Sequence, residues 1–225
     1  DTRKVCAWTA ADRTATAAAG VTGSSAVDVT TNRILDGNSS ITQTMLGAGS
    51  SAERTTYINW ARGKNTDGTA RLAVGDVLHN EPKLVAYVTD ENLARVNNSQ
   101  KPLADPNYQT SPEKLYMFFG SNEGFIHAIN PINGSEKFAF MPKELLKNPG
   151  DYFKNAKGSD NKRYGIDGQI NLWTEYSAAV NDSRTINKAY LYTGMRRGGS
   201  NYYALDVTNI DAPALKWIIK GPKQT

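Results

Sequence analysis

The sequence is poor in the residue types from which most active sites are built. Its 225 residues hold one cysteine, Cys6, and two histidines, His79 and His127. A single thiol permits no internal disulfide, and two histidines without clustered cysteines make no ordinary zinc site. Cys6 leaves two readings open: a partner upstream of this sequence, or an unpaired structural thiol. A phosphate-cradling Gly-Lys-Ser/Thr loop and a Gly-x-Gly-x-x-Gly fingerprint are both missing. So is any apolar run long enough to cross a bilayer. The opening Asp1-Thr2-Arg3-Lys4 has neither an initiating Met nor the charged-then-apolar pattern of a secretory leader, so the expected origin is a longer or processed chain.

Strong charge of one sign is lacking too. Lys and Arg exceed Asp and Glu by 26 to 22, a net charge of +4. The basic residues are scattered, with only a few doublets such as Lys162-Arg163 and Arg196-Arg197. That reads as a solvated, mildly basic surface and not as a nucleic-acid stripe. The mean hydropathy of −0.53 marks a polar, soluble chain.

What is present is β-patterning. Residues 1–55 are rich in Thr, Ala, Ser and Gly and show no helical period. They read as an extended stretch, a linker or a loop packed over a neighbouring core, with one short strand expected at Val27-Asp28-Val29-Thr30. Residues 56–225 carry the order. Tyr57 to Gly63 form a compact aromatic-aliphatic group, followed by a turn at Asn65-Thr66-Asp67-Gly68. Strands are expected at Arg71–His79 and Lys83–Val88, and a long polar, proline-broken loop at about 90–112. Further strands are expected at 115–119, 125–129, 137–140, 189–193, 202–207 and 215–219, and a short helix at Pro142–Lys147.

Those later strands repeat. Leu115 to Phe140 and Tyr190 to Trp217 share one plan: an aromatic strand ending in Gly (Phe119-Gly120; Thr193-Gly194), then a Gly-containing turn. A strand ending Ala-aliphatic-Asn/Asp follows (Ala128-Ile129-Asn130; Ala204-Leu205-Asp206), and then a turn into Lys-aromatic (Lys137-Phe138; Lys216-Trp217). An Asn or Asp at a strand exit bonds its own backbone and sets the turn. Units of this kind stack as propeller blades. The predicted class is mainly β: a partial β-propeller of quinoprotein-like antiparallel blades, with short helical insertions and the extended start. Of the four tryptophans, Trp8, Trp60, Trp173 and Trp217, core or inter-blade wedges are the expected roles.

Little chemistry is expected. His79 and His127 read as hydrogen-bonded structural histidines, and Asp167-Gly168 as a turn without a second carboxylate to make it a general base. Arg196 and Arg197 are the one ligand-contact candidate, for a phosphate or sugar acid, against the plainer reading of a blade turn.

Several groups of residues then match a known family in order. Trp60-Ala61-Arg62-Gly63, Arg71-Leu72 and Gly75-Asp76-Val77-Leu78-His79-Asn80-Glu81-Pro82 resemble the propeller entry of PilC/PilY proteins. Phe119 to Asn130, Glu136 to Pro142, Tyr164 to Gly168 and Gly198 to Asn209 are similar to later motifs of the same family. The resemblance covers most of the chain from Trp60 onward, and the first 55 residues show none.

It implies a type IV pilus tip-associated protein at the surface of a Gram-negative bacterium, associated with the outer membrane. Such a protein serves pilus biogenesis by opposing retraction, and adhesion to host cells. The implied partners are pilus subunits or minor pilins, a host receptor and the remaining blades of the same protein. Nucleic acid and a membrane span are not implied, and neither is catalysis. The family carries a calcium loop of spaced Asp and Asn. No such loop is found here: Asn65-Thr66-Asp67-Gly68 has only the end of the pattern, so no metal ligand or other cofactor is assigned. Two other function classes compete: a fragment of a quinoprotein-like dehydrogenase, and a lectin-like glycan-binding module.

Overall fold

The computed structural model describes residues 4–7, 25–28, 30–71, 73–90, 115–154, 163–178 and 183–222. Trp8, Val29, Leu72, Asp160, Lys162 and the expected loop beyond Asp90 lie outside them. The chain is mainly β. Strands β1 (Val5–Ala7) and β2 (Ser25–Ala26) precede helix α1 (Ser51–Ala61). Strands β3 (Lys83–Ala86), β4 (Val88–Asp90), β5 (Leu115–Gly120), β6 (Ile126–Ile129) and β7 (Glu136–Met141) follow. After helix α2 (Pro149–Lys154) come β8 (Ile170–Tyr176), β9 (Ser183–Gly194), β10 (Tyr202–Asp206) and β11 (Ala214–Ile219).

The strands make two sheets. The first has the order β1-β7-β6-β5-β3, and the second runs β2-β11-β10-β9, with β8 and β4 both pairing β9. Each sheet therefore contains four consecutive antiparallel neighbours, β3-β5-β6-β7 and β8-β9-β10-β11. Each also takes one strand from the chain's start on its last edge. β1 lies parallel to β7, and β2 lies antiparallel to β11. An uncovered edge is a template for unwanted pairing, and these short strands occupy both.

The repeat read in the sequence is a repeat of geometry. Ala128 faces Phe138 and Ala204 faces Trp217, and in both sheets the register slips by one residue beside that pair. The residues passed over are Lys137 and Lys216, so the lysine of each Lys-aromatic pair is a β-bulge. The aromatics make tilted contacts with equivalent partners, Phe138 with Phe118 and Trp217 with Tyr192. The exits match as well. Asn130 Oδ1 accepts the Ile132 amide and Asn133 Oδ1 the Ser135 amide. Asp206 Oδ1 accepts the Thr208 amide and Asn209 Oδ1 the Asp211 amide. Two Asx turns, spaced three residues apart, close both hairpins.

The sheets stack face to back. Phe140, on the same face of the first sheet as Phe118 and Phe138, meets Tyr203 on the opposite kind of face of the second, with ring centroids 6.2 Å apart. Tyr203 also donates its hydroxyl to Glu144, and the Asn201 amide donates to the same carboxylate at 2.8 Å. Between the sheets runs the strip Tyr164–Gly168. The Ile166 amide donates to the Ser121 carbonyl of the first sheet, and the Asp167 amide to the Met195 carbonyl of the second. Backbone touches backbone here. A methyl group on Gly165 would fall on the Gly124 backbone, one on Gly168 on the Gly194 carbonyl, and one on Gly198 on the Gly165 carbonyl.

Three expectations need correction, and one group left without a secondary structure acquires one. The described residues of Arg71–His79 form no strand. Val74, Val77 and Leu78 are exposed, so the segment has no buried face to alternate with, and Gly75 is pressed against Glu123. The short strand near Val27 lies at Ser25–Ala26 instead, because the Asp28 carboxylate is held by Lys4 and Arg33 at a bend. Tyr57 to Ala61 is the second half of an α-helix, α1. Its start carries a capping signature in Ser50-Ser51-Ala52-Glu53. Ser50 Oγ accepts the Glu53 amide, and Glu53 accepts the Gly49 amide at 2.7 Å. The helix at Pro142–Lys147 shrinks to one 3₁₀ turn, Lys143–Leu145, with Pro142 just before it. Helix α2 and strand β8 were not expected.

Gly168→Ala is expected to lower stability by about 1–3 kcal/mol, the cost of forcing a methyl into packed surroundings. Gly134→Asn, at a φ of 71° with open space around it, should cost less than ~1 kcal/mol, since Asn tolerates this conformation. Urea midpoints of the two variants decide; equal losses would contradict the seam described here.

Candidate functional site

Strand pairing assembles what the sequence keeps apart. His127 on β6 is buried against Phe119, on which it stacks at 4.9 Å, and Phe125. Its Nδ1 lies 2.7 Å from Glu136 Oε1, and its Nε2 3.0 Å from Ser121 Oγ. A carboxylate only accepts, so Nδ1 carries the proton that bonds Glu136, and in the neutral ring Nε2 accepts the Ser121 hydroxyl. The order Ser-His-Glu has the connectivity of a nucleophile relay. Its setting is different. Ser121 is fully buried, its amide donates to the Phe125 carbonyl, and its own carbonyl accepts from Gly124 and Ile166. The three groups tie the β5–β6 turn to β7.

His79 sits in the irregular segment before β3. Its Nδ1 lies 2.8 Å from Oδ1 of Asp167, whose side chain is wholly buried. The same segment is pinned by Arg71, which makes a two-pronged bond to Glu123 at 2.8 Å for each contact and lies over the Trp60 ring. Both histidines are thus hydrogen-bonded to carboxylates, His79 to Asp167 and His127 to Glu136.

Arg196 and Arg197 stand in a 3₁₀ turn after β9. They diverge. Arg197 lies over the Tyr164 ring and donates to its hydroxyl at 3.1 Å, while Arg196 is exposed and holds a left-handed φ of 51°. Gly198, pressed on the Gly165 carbonyl, forces the turn to be tight.

The most distinctive surface was not singled out in the sequence. The face of the second sheet that corresponds to the buried Phe118–Phe138–Phe140 face carries Trp173, Tyr190, Tyr192, Tyr202, Trp217 and Ile219. Trp173 stacks on Tyr190 at 5.3 Å, and the Lys216 ammonium lies over the Tyr190 ring at 4.0 Å. In the first sheet Ile126 and Phe140 are fully buried; their counterparts Tyr202 and Ile219 are 58% and 45% exposed, and Trp173 is 45% exposed. Trp60 is a core residue, Trp217 is half-buried, and Trp173 is a surface one. Alternation within Trp173-Thr174, Tyr190-Leu191-Tyr192 and Tyr202-Tyr203 was the available signal. It was unreadable until β8 was known to pair β9.

Cys6, in β1, is a buried thiol that points to Asp28 Oδ1 at 3.8 Å. Burial, reinforced by the Asp28 charge, pushes it up to about 12, so it stays protonated and unreactive at neutral pH. Burial alone would raise the Asp28 carboxyl; the hydrogen bonds and charges of Arg33 and Lys4 outweigh that and hold it below its ordinary value. Among the described residues, no group of three or more His, Cys, Asp or Glu side chains is placed to hold a metal. No helix among them is long and apolar enough to cross a membrane.

Ser121→Ala leaves His127 Nε2 buried without its partner, and a loss of about 1–3 kcal/mol is expected. Chemical unfolding measures it. Labelling of Ser121 by a fluorophosphonate in the native protein would contradict a purely structural relay.

Comparison with known proteins finds relatives of one kind. A type IV pilus biogenesis factor PilY1 homolog of Xylella fastidiosa is 26% identical over 176 residues, 76% of this chain and 14% of that protein. Type IV pilus biogenesis factor PilY1 of Pseudomonas aeruginosa is 26% identical over 171 residues, 71% of this chain and 14% of that protein. A second Xylella fastidiosa homolog is 27% identical over 177 residues, 72% of this chain and 11% of that protein. The chain thus spans about one-seventh of the length of the first two relatives. No family model and no solved structure matches it. Over roughly three-quarters of its length, this chain is related to the PilY1 family of type IV pilus biogenesis factors.

Proposed function

We propose that the chain forms two neighbouring blades of a β-propeller in a type IV pilus biogenesis protein, and that it works by binding and not by catalysis. The observation that carries the propeller reading is the pair of equivalent faces. The first sheet buries its Phe118–Phe138–Phe140 face on the second sheet, and the second leaves the matching aromatic face open. A repeat whose first member is covered by its successor calls for a further successor. On this reading Trp173, Tyr202 and Ile219 receive another blade of the same protein.

The pilus role rests on the relatives and on the ordered motifs that resemble the family. We assign the protein to the cell surface, at the pilus tip, where it opposes pilus retraction and contacts host cells. Pilus subunits or minor pilins are the partners in assembly, and a host receptor is the partner in adhesion. The buried setting of Ser121, His127 and Asp167 supports a non-enzymatic reading, because none of the three meets solvent as a nucleophile or base would. The family's calcium loop belongs to the whole protein and is assigned to no residue of this chain.

In the producing bacterium, Tyr202→Asp combined with Trp173→Asp puts charges on the face that a neighbouring sheet must cover. Surface piliation, counted by electron microscopy, should fall to the level of a strain lacking the whole gene. Normal piliation in both strains would remove the biogenesis reading. Loss of pili only in the deletion strain would remove the propeller contact.

A further inference from the structure

The contact between the two sheets defines two kinds of face. The first sheet gives its aromatic face, through Phe140, to the face of the second that carries Tyr203. That receiving face is built from Leu172, Leu191 and Leu205, which lie side by side on β8, β9 and β10. Leu191 and Leu205 are fully buried, and Leu172 packs against the core.

The first sheet has a receiving face of the same make. Leu84, Met117 and Ile129 lie side by side on β3, β5 and β6, as Leu172, Leu191 and Leu205 do in the second sheet. The repeat fixes the correspondence. Met117 precedes Gly120 as Leu191 precedes Gly194, and Ile129 precedes Asn130 as Leu205 precedes Asp206. The chemistry is kept at all three positions and the burial is not. Leu84 is 59% exposed, and Met117 and Ile129 are only half-buried.

The two outer faces are therefore the two halves of the contact seen between the sheets. The second sheet presents the aromatic half, with Trp173, Tyr202 and Ile219 exposed, and the first presents the aliphatic half. Apolar surface left open in this way marks a contact. Two unlike halves on one molecule make a heterologous, head-to-tail interface between copies.

We propose that Leu84, Met117 and Ile129 form the docking surface for an aromatic sheet face of this fold, and that a second copy of this chain fills it, head to tail, with its Trp173–Tyr202–Ile219 face. The proposal rests on the reading of that aromatic face as a contact for another sheet, and it names the kind of surface that receives it.

Sedimentation equilibrium of the chain tests it, with Tyr202→Asp on one face and Leu84→Asp on the other. Both side chains are exposed, so neither charge enters the core, and melting curves check that both variants fold. The wild-type chain should associate increasingly with concentration, and each variant alone should associate about tenfold more weakly or less. In an equimolar mixture, the intact aromatic face of the Leu84→Asp copy meets the intact aliphatic face of the Tyr202→Asp copy. Association should return there and stop at a heterodimer. A wild-type chain or a mixture that stays monomeric overturns the proposal. Association lost in Tyr202→Asp and kept in Leu84→Asp also overturns it, and leaves the aromatic face standing as a sheet contact. Association kept in both variants removes both.

Discussion

The arrangement depends on backbone meeting backbone at the seam. Gly165, Gly168 and Gly198 leave no space for a side chain, so the Tyr164–Gly168 strip lies directly on the turn after β5 and the turn after β9. That contact sets the spacing of the sheets. It allows the Ile166 amide to reach the Ser121 carbonyl and the Asp167 amide to reach that of Met195. Once the spacing is set, Phe140 reaches Tyr203, and Glu144 reaches both Tyr203 and Asn201. The Asp167 carboxylate lies wholly buried beside this contact and bonds His79.

Within each sheet, the lysine bulge and the paired Asx turns do the corresponding work. The bulge increases the local twist where the aromatic of the last strand must lie against the first. The Asx turns close the third strand onto the second with a fixed register. A slip of one residue would turn Phe138 or Trp217 to the wrong face. Two copies of these devices yield two sheets of the same hand. The two sheets differ in their outer faces: the first sheet's other face is buried at Phe119 and His127, with Phe125 against the histidine, while the second sheet's outward face is aromatic and partly exposed.

Much of this was legible before the strands were placed. The aromatic-Gly, Ala-aliphatic-Asn/Asp and Lys-aromatic pattern marked the three later strands of each unit, and Asn130 and Asp206 were read as turn-setting residues. Local chemistry carried those readings. What was not legible needed partners distant in sequence. β8 reads as Ile170-Asn171-Leu172-Trp173-Thr174-Glu175-Tyr176, in which polar and apolar residues are mixed, and only its pairing with β9 shows which side is buried. The segment Arg71–His79 has strand composition, yet the Arg71–Glu123 pair and the close approach of Gly75 hold it off both sheets. Helix α1 had a visible cap in Ser50 and Glu53, obscured by a weakly periodic Ser/Thr-rich surround. The Ser121–His127–Glu136 relay depends on the β6–β7 register, which spacing alone does not reveal.

The central claim is that the aromatic face of the second sheet is an interior surface in the working protein. Hydroxyl-radical footprinting of the native protein at the cell surface reads it directly, with the core residues Trp60 and Tyr203 as internal standards. If another sheet covers the face, Trp173 and Tyr202 are oxidised as slowly as those standards. If they are oxidised as fast as in the unfolded protein, the face is open to solvent and the account of stacked blades is wrong.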